Sequence, residues 1–215
     1  MSLKALFKSA VAELRKRDIP FAVAGGFAAD LYRREPRLTM DVDLVILVDK
    51  NAVDTASDVI RSLGLHPGVV READLAGGPM FAIRRKSSKP CMVVGRKKGE
   101  SSGEGVDILL PEIPWAEQAV TRAQDNQVDF GFGDVPTLTV EDVVIAKLFA
   151  IQAPDLRAKD LDDLQSIFAA GQAMNVPYLA GQMVRLKLAI PAKARPLVPE
   201  PLLALDKDNR RAQKK

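Results

Sequence analysis

The sequence predicts a mixed α+β fold, in which a mixed β-sheet is flanked by helices and carries a small helical appendage at its C-terminal end. Strand-like and helix-like segments alternate through the first two thirds of the 215 residues, whereas the last third contains helix-like segments alone. The hydrophobic content of 47% suffices for a proper core, and the length is that of one ordinary domain.

The first elements are an amphipathic helix, a short buried strand and a second helix. From Leu3 to Leu14, apolar residues recur every three or four positions, which predicts a helix over residues 3–17. The segment PFAVAGG is typical of a short buried strand that ends at Gly25 and Gly26. The segment FAADLYRR predicts a helix that begins directly after these glycines.

The middle of the chain predicts several strands and one helix. The strand MDVDLVILVD follows the polar break REPR, and a helix is expected over residues 51–63. Asn51 is the expected N-cap of this helix, and Gly64 is the expected stop. Three further strands are predicted in PMFAIRR, CMVVGR and GVDILLP, with a mobile Gly- and Ser-rich loop, KKGESSGEG, between the last two.

The remaining elements are mostly helical. The extended stretch QVDFGFGDVPTLT separates helices that are expected over residues 115–123, 140–152, 158–170 and 177–188. Four prolines in IPAKARPLVPEP mark the expected end of the packed body. The predicted division is a core over residues 1–137, a helical region packed on it over 138–190, and a Pro-rich, basic and flexible tail over 191–215.

Composition favours a cytoplasmic protein without disulfides. The single cysteine excludes an internal disulfide, and no segment has the apolar run of a signal peptide or a membrane span. The net charge of +3 is concentrated in the last ten residues and in residues 84–98, which hold seven basic side chains and no acidic one. Charge runs of this kind are usually solvated surface, and the alternative is an edge that faces a polyanion.

Two aspartates stand two positions apart in an otherwise apolar strand. Side chains at such positions share a face, so Asp41 and Asp43 project together and repel each other. A cation between them would relieve the repulsion, and Mg²⁺ prefers carboxylate oxygens as ligands. The alternative is a pair at a strand start, with one aspartate exposed and the other capping a turn. Taken alone, the pair favours this alternative.

Three further features change that balance. Gly25 and Gly26, at a strand-to-helix junction, expose backbone N–H groups at the positive end of a helix dipole, although a simple turn is the commoner reason for such glycines. Asp107 adds a third acid in another apolar strand. Lys147 lies on the apolar stripe of its helix and requires an anion, either a phosphate or a carboxylate such as Asp160, unless it extends to solvent.

Together these segments resemble the DNA polymerase beta-type nucleotidyltransferase superfamily. More narrowly, they resemble the small prokaryotic AbiEii-like nucleotidyltransferases of toxin-antitoxin loci. The resemblance is carried in order by GGFAADLYRREPRLTMDVDLVI, VDILLP and LTVEDVVIAKLFAIQAPDLRAKDLDDLQSIF, over about residues 20 to 170. It implies a nucleotidyltransferase fold.

The resemblance also implies roles for individual residues. Two Mg²⁺ ions, with Mn²⁺ as an alternative, would be held by three catalytic aspartates: Asp41, Asp43 and Asp107. The nucleotide phosphates would be bound by Gly25, Gly26, Arg37, Thr39, Lys147, Arg157 and Lys159. Many superfamily members have Ser at the position of Gly26, so backbone N–H groups and Thr39 would replace that hydroxyl here.

The implied function is Mg²⁺-dependent transfer of a nucleoside monophosphate from a nucleoside triphosphate to a hydroxyl of an RNA, foremost a tRNA, or of a partner protein. The basic segment 84–98 supports an RNA acceptor, because Lys and Arg contacts to phosphates supply most sequence-independent affinity. Two alternatives stay open: a small acceptor such as an aminoglycoside, and a catalytically weak protein that binds a cognate partner in a two-gene module. His66 is expected in a surface turn and Cys91 in a buried strand, so neither is assigned chemistry.

Overall fold

A computed structural model describes residues 2–71, 89–100, 103–151 and 158–205. The helices are α1 Leu3–Lys16, α2 Gly25–Asp30, α3 Ala52–Ser62, α4 Ala116–Ala123, α5 Val140–Ile151, α6 Ala158–Ala169, α7 Val176–Leu186 and a 3₁₀ helix, Arg195–Leu197. The strands are β1 Phe21–Val23, β2 Asp41–Ile46, β3 His66–Arg71, β4 Pro90–Arg96, β5 Gly105–Leu109, β6 Gln127–Asp129 and β7 Asp134–Pro136. The predicted mixed α+β class is confirmed. The predicted strand PMFAIRR lies outside the described residues.

The main sheet has five strands in the order β1-β2-β5-β4-β3. Strands β2 and β5 are parallel and the other neighbouring pairs are antiparallel, so the sheet is mixed as predicted. Strands β6 and β7 form a separate two-stranded sheet. In the parallel pair, Asp43 lies opposite Asp107, and Asp41 lies opposite Gly105. Pairing of β2 with β5 thus brings the acids of two distant segments together.

Two hydrophobic clusters cover the two faces of this sheet. Helices α1 and α3 contribute to one cluster, in which Val42, Leu44 and Ile46 of β2 are fully buried. Helices α4 to α7 build the other cluster, to which Val45 of β2 contributes. Because side chains alternate along a strand, the aspartates of β2 project toward the second face, where α5 and α6 pack. No helix in the described part of the chain is both long and apolar enough to cross a membrane.

Side-chain hydrogen bonds cap the starts of α1, α5 and α7 but not of α3. Ser2 accepts a hydrogen bond from the backbone N–H of Ala5 in α1, and Asn175 caps α7 in the same way. Asn51 occupies the N-cap position of α3 as predicted, but it has a left-handed φ of 57° and its side chain makes no cap hydrogen bond. It instead turns the chain into α3. Gly64 has a φ of +74° and ends α3 as predicted.

The start of α2 and the surroundings of His66 differ from the predictions, whereas the burial of Cys91 agrees with them. Helix α2 begins at Gly25 itself rather than after the paired glycines, and it ends at Asp30. His66 is exposed as predicted, but it begins β3 and pairs with Arg96 instead of lying in a turn. The Pro and Gly that follow His66 are typical of a turn, yet pairing with β4 overrides that local preference. Cys91 is buried in β4, as predicted.

Residues 191–205 pack on the body rather than extending from it as a flexible tail. Ala194, Val198 and Leu202 are buried in the same hydrophobic cluster as α6 and α7. The prolines shape this segment without keeping its apolar side chains out of the core. Residues 206–215 lie outside the described part of the chain. The division of the chain at residue 137 stays a prediction.

Candidate active site

Three aspartates lie on one face of the sheet where β2 and β5 run side by side. Asp43 and Asp107 are direct neighbours in register, and Asp41 precedes Asp43 on the same face. Burial and the charges of Asp41 and Asp107 raise the pKa of Asp43 to about 7, against the opposing effects of Lys147 and the Gly26 N–H. The site therefore concentrates negative charge that a cation would stabilise.

Gly25 and Gly26 allow the backbone to approach these residues closely. Gly25 has a left-handed φ of +57°, and a Cβ at this position would overlap the carboxylate of Asp43. A Cβ at Gly26 would lie 2.5 Å from Thr39 Oγ1. The Gly26 N–H donates a hydrogen bond to Asp43, so the start of α2 faces a carboxylate of the protein itself. The predicted contact of both glycines with phosphate stays a prediction.

We expect Gly25→Ala to lower the free energy of unfolding by about 2–4 kcal/mol, because the new methyl group overlaps Asp43 and the left-handed backbone is strained. Gly64→Ala is the matched control, since Gly64 has a similar φ of +74° but open space where the Cβ would lie. The control should cost about 1 kcal/mol from backbone strain alone. Chemical denaturation measures the free energy of unfolding of both variants. Equal losses would contradict overlap with Asp43 as the cause of the larger effect at Gly25.

The segment before β2 alternates between the site and solvent. Leu38 is 82% exposed and Met40 is 45% exposed, whereas Arg37 and Thr39 are half-buried. Thr39 Oγ1 is buried beside Gly26 and has no hydrogen-bond partner among the described residues. Because a buried hydroxyl without a partner costs free energy, this geometry favours a ligand group at Thr39.

Lys147 is buried on α5 and pairs with two carboxylates of α6. Its Nζ lies 2.7 Å from Asp160 Oδ1 and 2.7 Å from Asp163 Oδ2. Burial alone would lower the pKa of Lys147, but the two aspartates hold it above its ordinary value. The sequence left open a phosphate, an internal carboxylate or solvent as the surroundings of the Lys147 ammonium, and the structure shows the internal carboxylate. Lys147 still lies close enough to Asp43 to lower the pKa of that carboxyl.

Asp163 is fully buried and accepts hydrogen bonds from three cationic side chains. Arg33 Nη1 lies 2.5 Å from Oδ1, and Arg37 donates from Nε at 2.7 Å and from Nη2 at 3.0 Å. Burial would raise the pKa of Asp163, but the hydrogen bonds from Arg37 and Lys147 outweigh it and lower the pKa to about 2. Arg37, predicted as a phosphate ligand, is thus oriented by Asp163, which ties α6 to the segment before β2.

A second polar cluster fixes the first turn of α5 and so positions Lys147 two turns later. Arg122 of α4 donates to Asp142 at 3.0 Å and to Glu141 at 2.9 Å. The hydroxyl of Tyr178, on α7, donates to Asp142 at 2.6 Å. These contacts join α4, α5 and α7 behind the site.

Arg96 of β4 lies over Asp107. Its Nη1 is 2.5 Å from Asp107 Oδ1 and its Nη2 is 3.1 Å from Asp107 Oδ2. The Nη2 atom is also 3.9 Å from Asp41 Oδ2. Residues 84–98 were expected to be solvated surface or an edge that faces a polyanion, but the order of the strands turns the side chain of Arg96 toward the acids.

The donor set fits a hard divalent cation in its chemistry. Asp41, Asp43 and Asp107 supply carboxylate oxygens from adjacent strands, and burial, together with the charges of the other two aspartates, raises the pKa of Asp43. Across the described residues, no three His, Cys, Asp or Glu side chains are grouped closely enough to hold a metal ion as they stand. Asp107 is instead engaged by Arg96.

One predicted phosphate ligand makes no ion pair with the described residues, another lies outside them, and two residues near the site were not predicted. Lys159 is exposed at the start of α6 and makes no ion pair with the described residues, and Arg157 lies outside them. Asp163 was not predicted, although it stands four positions before Ile167 on an apolar stripe, the same signal that identifies Lys147. Arg96 has no such local signal, since its contact with Asp107 depends on the sheet order.

The fold built on this sheet is that of the nucleotidyltransferases, which is the class of the protein. A family model described as "Nucleotidyl transferase AbiEii toxin, Type IV TA system" matches residues 10–215. The chain therefore belongs to the AbiEii nucleotidyltransferase family, and the resemblance stated from its motifs is confirmed.

Several solved structures are similar to this chain at low sequence identity. The solution structure of the antibiotic-resistance factor ANT(2'')-Ia has a TM-score of 0.50 and 18% identity, and it covers 85% of this chain and 92% of that chain. The crystal structure of ANT(2'')-Ia in complex with adenylyl-2''-tobramycin has a TM-score of 0.51, 15% identity and coverages of 85% and 95%. An antigenic nucleotidyltransferase-like protein from Paracoccidioides brasiliensis has 20% identity, coverages of 99% and 88% and a TM-score of 0.47. No curated protein matches the chain.

Proposed function

We propose that the protein transfers a nucleoside monophosphate from a nucleoside triphosphate to a hydroxyl of an RNA, foremost a tRNA, and releases pyrophosphate. The observation that carries this proposal is the convergence of Asp41, Asp43 and Asp107, with the pKa of Asp43 raised to about 7. Such a concentration of carboxylates favours divalent cations, which nucleotidyl transfer uses to neutralise phosphate charge. Mg²⁺ is the proposed cation, and Mn²⁺ is an alternative.

The residues around the site divide the work of this reaction. Divalent ions, when bound, would supply positive charge to the phosphate oxygens. Asp41 and Asp43 would hold them from β2 and Asp107 from β5, and Asp107 would also receive the proton of the attacking hydroxyl. Asp163 orients both Lys147 and Arg37, and Lys147 provides positive charge close enough to act on Asp43.

The basic end of β4 supports an RNA acceptor. Lys97 and Lys98 follow Arg96 directly and are exposed, so they extend positive charge outward from the site. Phosphate contacts by such lysines release counterions from RNA and make its binding depend on salt. A cognate partner protein is also part of the proposal, because the matching family is described as the toxin of a Type IV system.

Replacing both Lys97 and Lys98 by Gln is expected to weaken RNA binding and to reduce the slope of log affinity against log salt by about 1 to 2. The same replacements at Lys8 and Lys16 serve as the control, because both lysines are exposed on α1, against the opposite face of the sheet. Fluorescence anisotropy with a labelled tRNA over a salt series measures the slope. An unchanged slope in the Lys97 and Lys98 variant would exclude this surface as the RNA site.

Incubation with each α-labelled nucleoside triphosphate tests the activity and its acceptor together. The reactions contain Mg²⁺ or Mn²⁺ and, separately, total RNA, lysate protein or an aminoglycoside. Label is expected on RNA of tRNA size, with release of pyrophosphate. Label on a protein or an aminoglycoside would replace the RNA acceptor, and transfer to none of them would contradict catalysis and favour a binding partner in a two-gene module.

A further inference from the structure

Arg96 reaches the acids through a gap that a glycine leaves in β5. Strand β4 runs antiparallel to β5, with Gly95 opposite Val106, so Arg96 comes next to Gly105. A Cβ at Gly105 would overlap the guanidinium of Arg96 and lie 2.9 Å from its Cδ. Because Asp41 is paired with Gly105 on the other side, the absent side chain opens a path from β4 across β5 to β2.

The guanidinium of Arg96 is bound to both carboxylate oxygens of Asp107, through which Asp107 would hold a metal ion. It donates to both carboxylate oxygens of Asp107, and both side chains are largely withdrawn from solvent, at 15% and 10% exposure. A divalent cation at Asp107 would lie within a few ångströms of this positive group, and the two would repel each other at low dielectric. Arg96 and a metal ion therefore compete for Asp107.

We propose that Arg96 exchanges partners: its guanidinium holds Asp107 before substrate binds and moves to a phosphate group of the triphosphate when metal binds at Asp107. This inference rests on the proposed function. The planar guanidinium suits phosphate as well as carboxylate, so the exchange replaces one two-point ion pair by another. Metal binding and triphosphate binding then favour each other. A metal ion at Asp107 frees Arg96 to bind phosphate, and a phosphate bound to Arg96 frees Asp107 to bind the metal ion.

Arg96→Gln is expected to change the affinities for two ligands in opposite directions. Mn²⁺ alone, followed by electron paramagnetic resonance of the free ion, should bind about tenfold more tightly, since the competing cation is gone. An α,β-methylene triphosphate at saturating Mn²⁺, followed by calorimetry, should bind about tenfold more weakly, since a phosphate contact is lost. If Arg96 merely supported the fold, its replacement would weaken the binding of both ligands.

Lys50→Gln is the control, because it removes one positive charge from an exposed residue beyond the end of β2 that lies away from Asp41. It should change either affinity less than about twofold. Arg96→Lys keeps the charge but loses the two-point contact, and it should shift both affinities in the same directions by a smaller factor. Arg96→Lys thus tests the exchange of partners even if Arg96→Gln does not fold. Circular dichroism monitors the folding of both variants.

Weaker Mn²⁺ binding by both Arg96 variants, or an unchanged affinity for the triphosphate, would overturn the exchange. The label-transfer reaction separates this failure from failure of the proposed function. Transfer by the wild type together with unaltered ligand affinities in the variants would reject the role of Arg96 alone. Absence of transfer, together with no Mn²⁺ binding by the wild type, would reject both proposals.

Discussion

Asp43→Asn is expected to reduce nucleotidyl transfer about a thousandfold and to leave the fold intact. Asp43 is central to the site, because it neighbours Asp107 in register, repels Asp41 and accepts a hydrogen bond from Gly26. Asn keeps the size of the side chain and an acceptor oxygen, but it removes the charge that a metal ion requires. Initial rates of label transfer at saturating triphosphate measure the loss.

Asp49→Asn is the control for this experiment, because Asp49 lies just beyond β2 and is exposed. It should retain transfer within about twofold. Retention of more than about a tenth of the wild-type rate by Asp43→Asn would contradict the assignment of Asp43 as a catalytic residue.

The stability of Asp43→Asn should change in the opposite direction from its activity. The folded-state pKa of Asp43, about 7, lies above its ordinary value of 3.8, so the folded protein binds the proton more tightly than the unfolded chain. Ionisation therefore costs the wild type stability as pH rises from about 4 through 7, a cost that Asn does not incur. Thermal unfolding in the presence of a chelator at pH 8 should find the variant at least as stable as the wild type.

Asp163→Asn is expected to lower the free energy of unfolding by about 3–5 kcal/mol, because it removes the shared anion of three buried or half-buried cations. Loss of this partner leaves Lys147 with Asp160 and frees Arg37 to leave the site, so transfer should fall as well. Denaturant unfolding at neutral pH measures the stability change.

Asp162→Asn provides a closely matched comparison. Asp162 is the adjacent residue of the same helix, its side chain is 62% exposed, and it pairs with Arg33 at 2.9 Å. An exposed ion pair of this kind contributes less than about 1 kcal/mol. Similar losses for the two variants would contradict the assignment of Asp163 as the centre of the network.

The cost of Asp163→Asn should also depend on pH. The pKa of Asp163 is lowered to about 2 from its ordinary value of 3.8, so the folded state favours the ionised carboxylate. This stabilisation is complete above the pKa of the unfolded chain and is lost as pH falls through the folded-state pKa. The difference between wild type and variant should therefore shrink from about pH 5 to pH 2, and a constant difference would exclude the charge of Asp163 as its cause.

Local patterns explain why much of the fold could be predicted. The alternation of side chains along β2 identifies the shared face of Asp41 and Asp43, and helical periodicity places Lys147 on a buried stripe. Predictions failed where tertiary pairing opposed local preference. The strand β3 begins at His66 despite the Pro and Gly after it, because β4 supplies its hydrogen-bonding partner.

The sequence by itself determined that Asp41, Asp43 and Lys147 would lie among apolar residues, because that property depends on periodicity within single elements. Only the tertiary structure decided which of these charges meet. Arg37 and Asp163 are separated by 126 positions, and their hydrogen bond depends on how α6 packs against the segment before β2. Arg96 reaches Asp107 because β4 is the neighbour of β5 and Gly105 leaves the space between them. Such contacts depend on the order of strands and the packing of helices, for which no short stretch of sequence contains a signal.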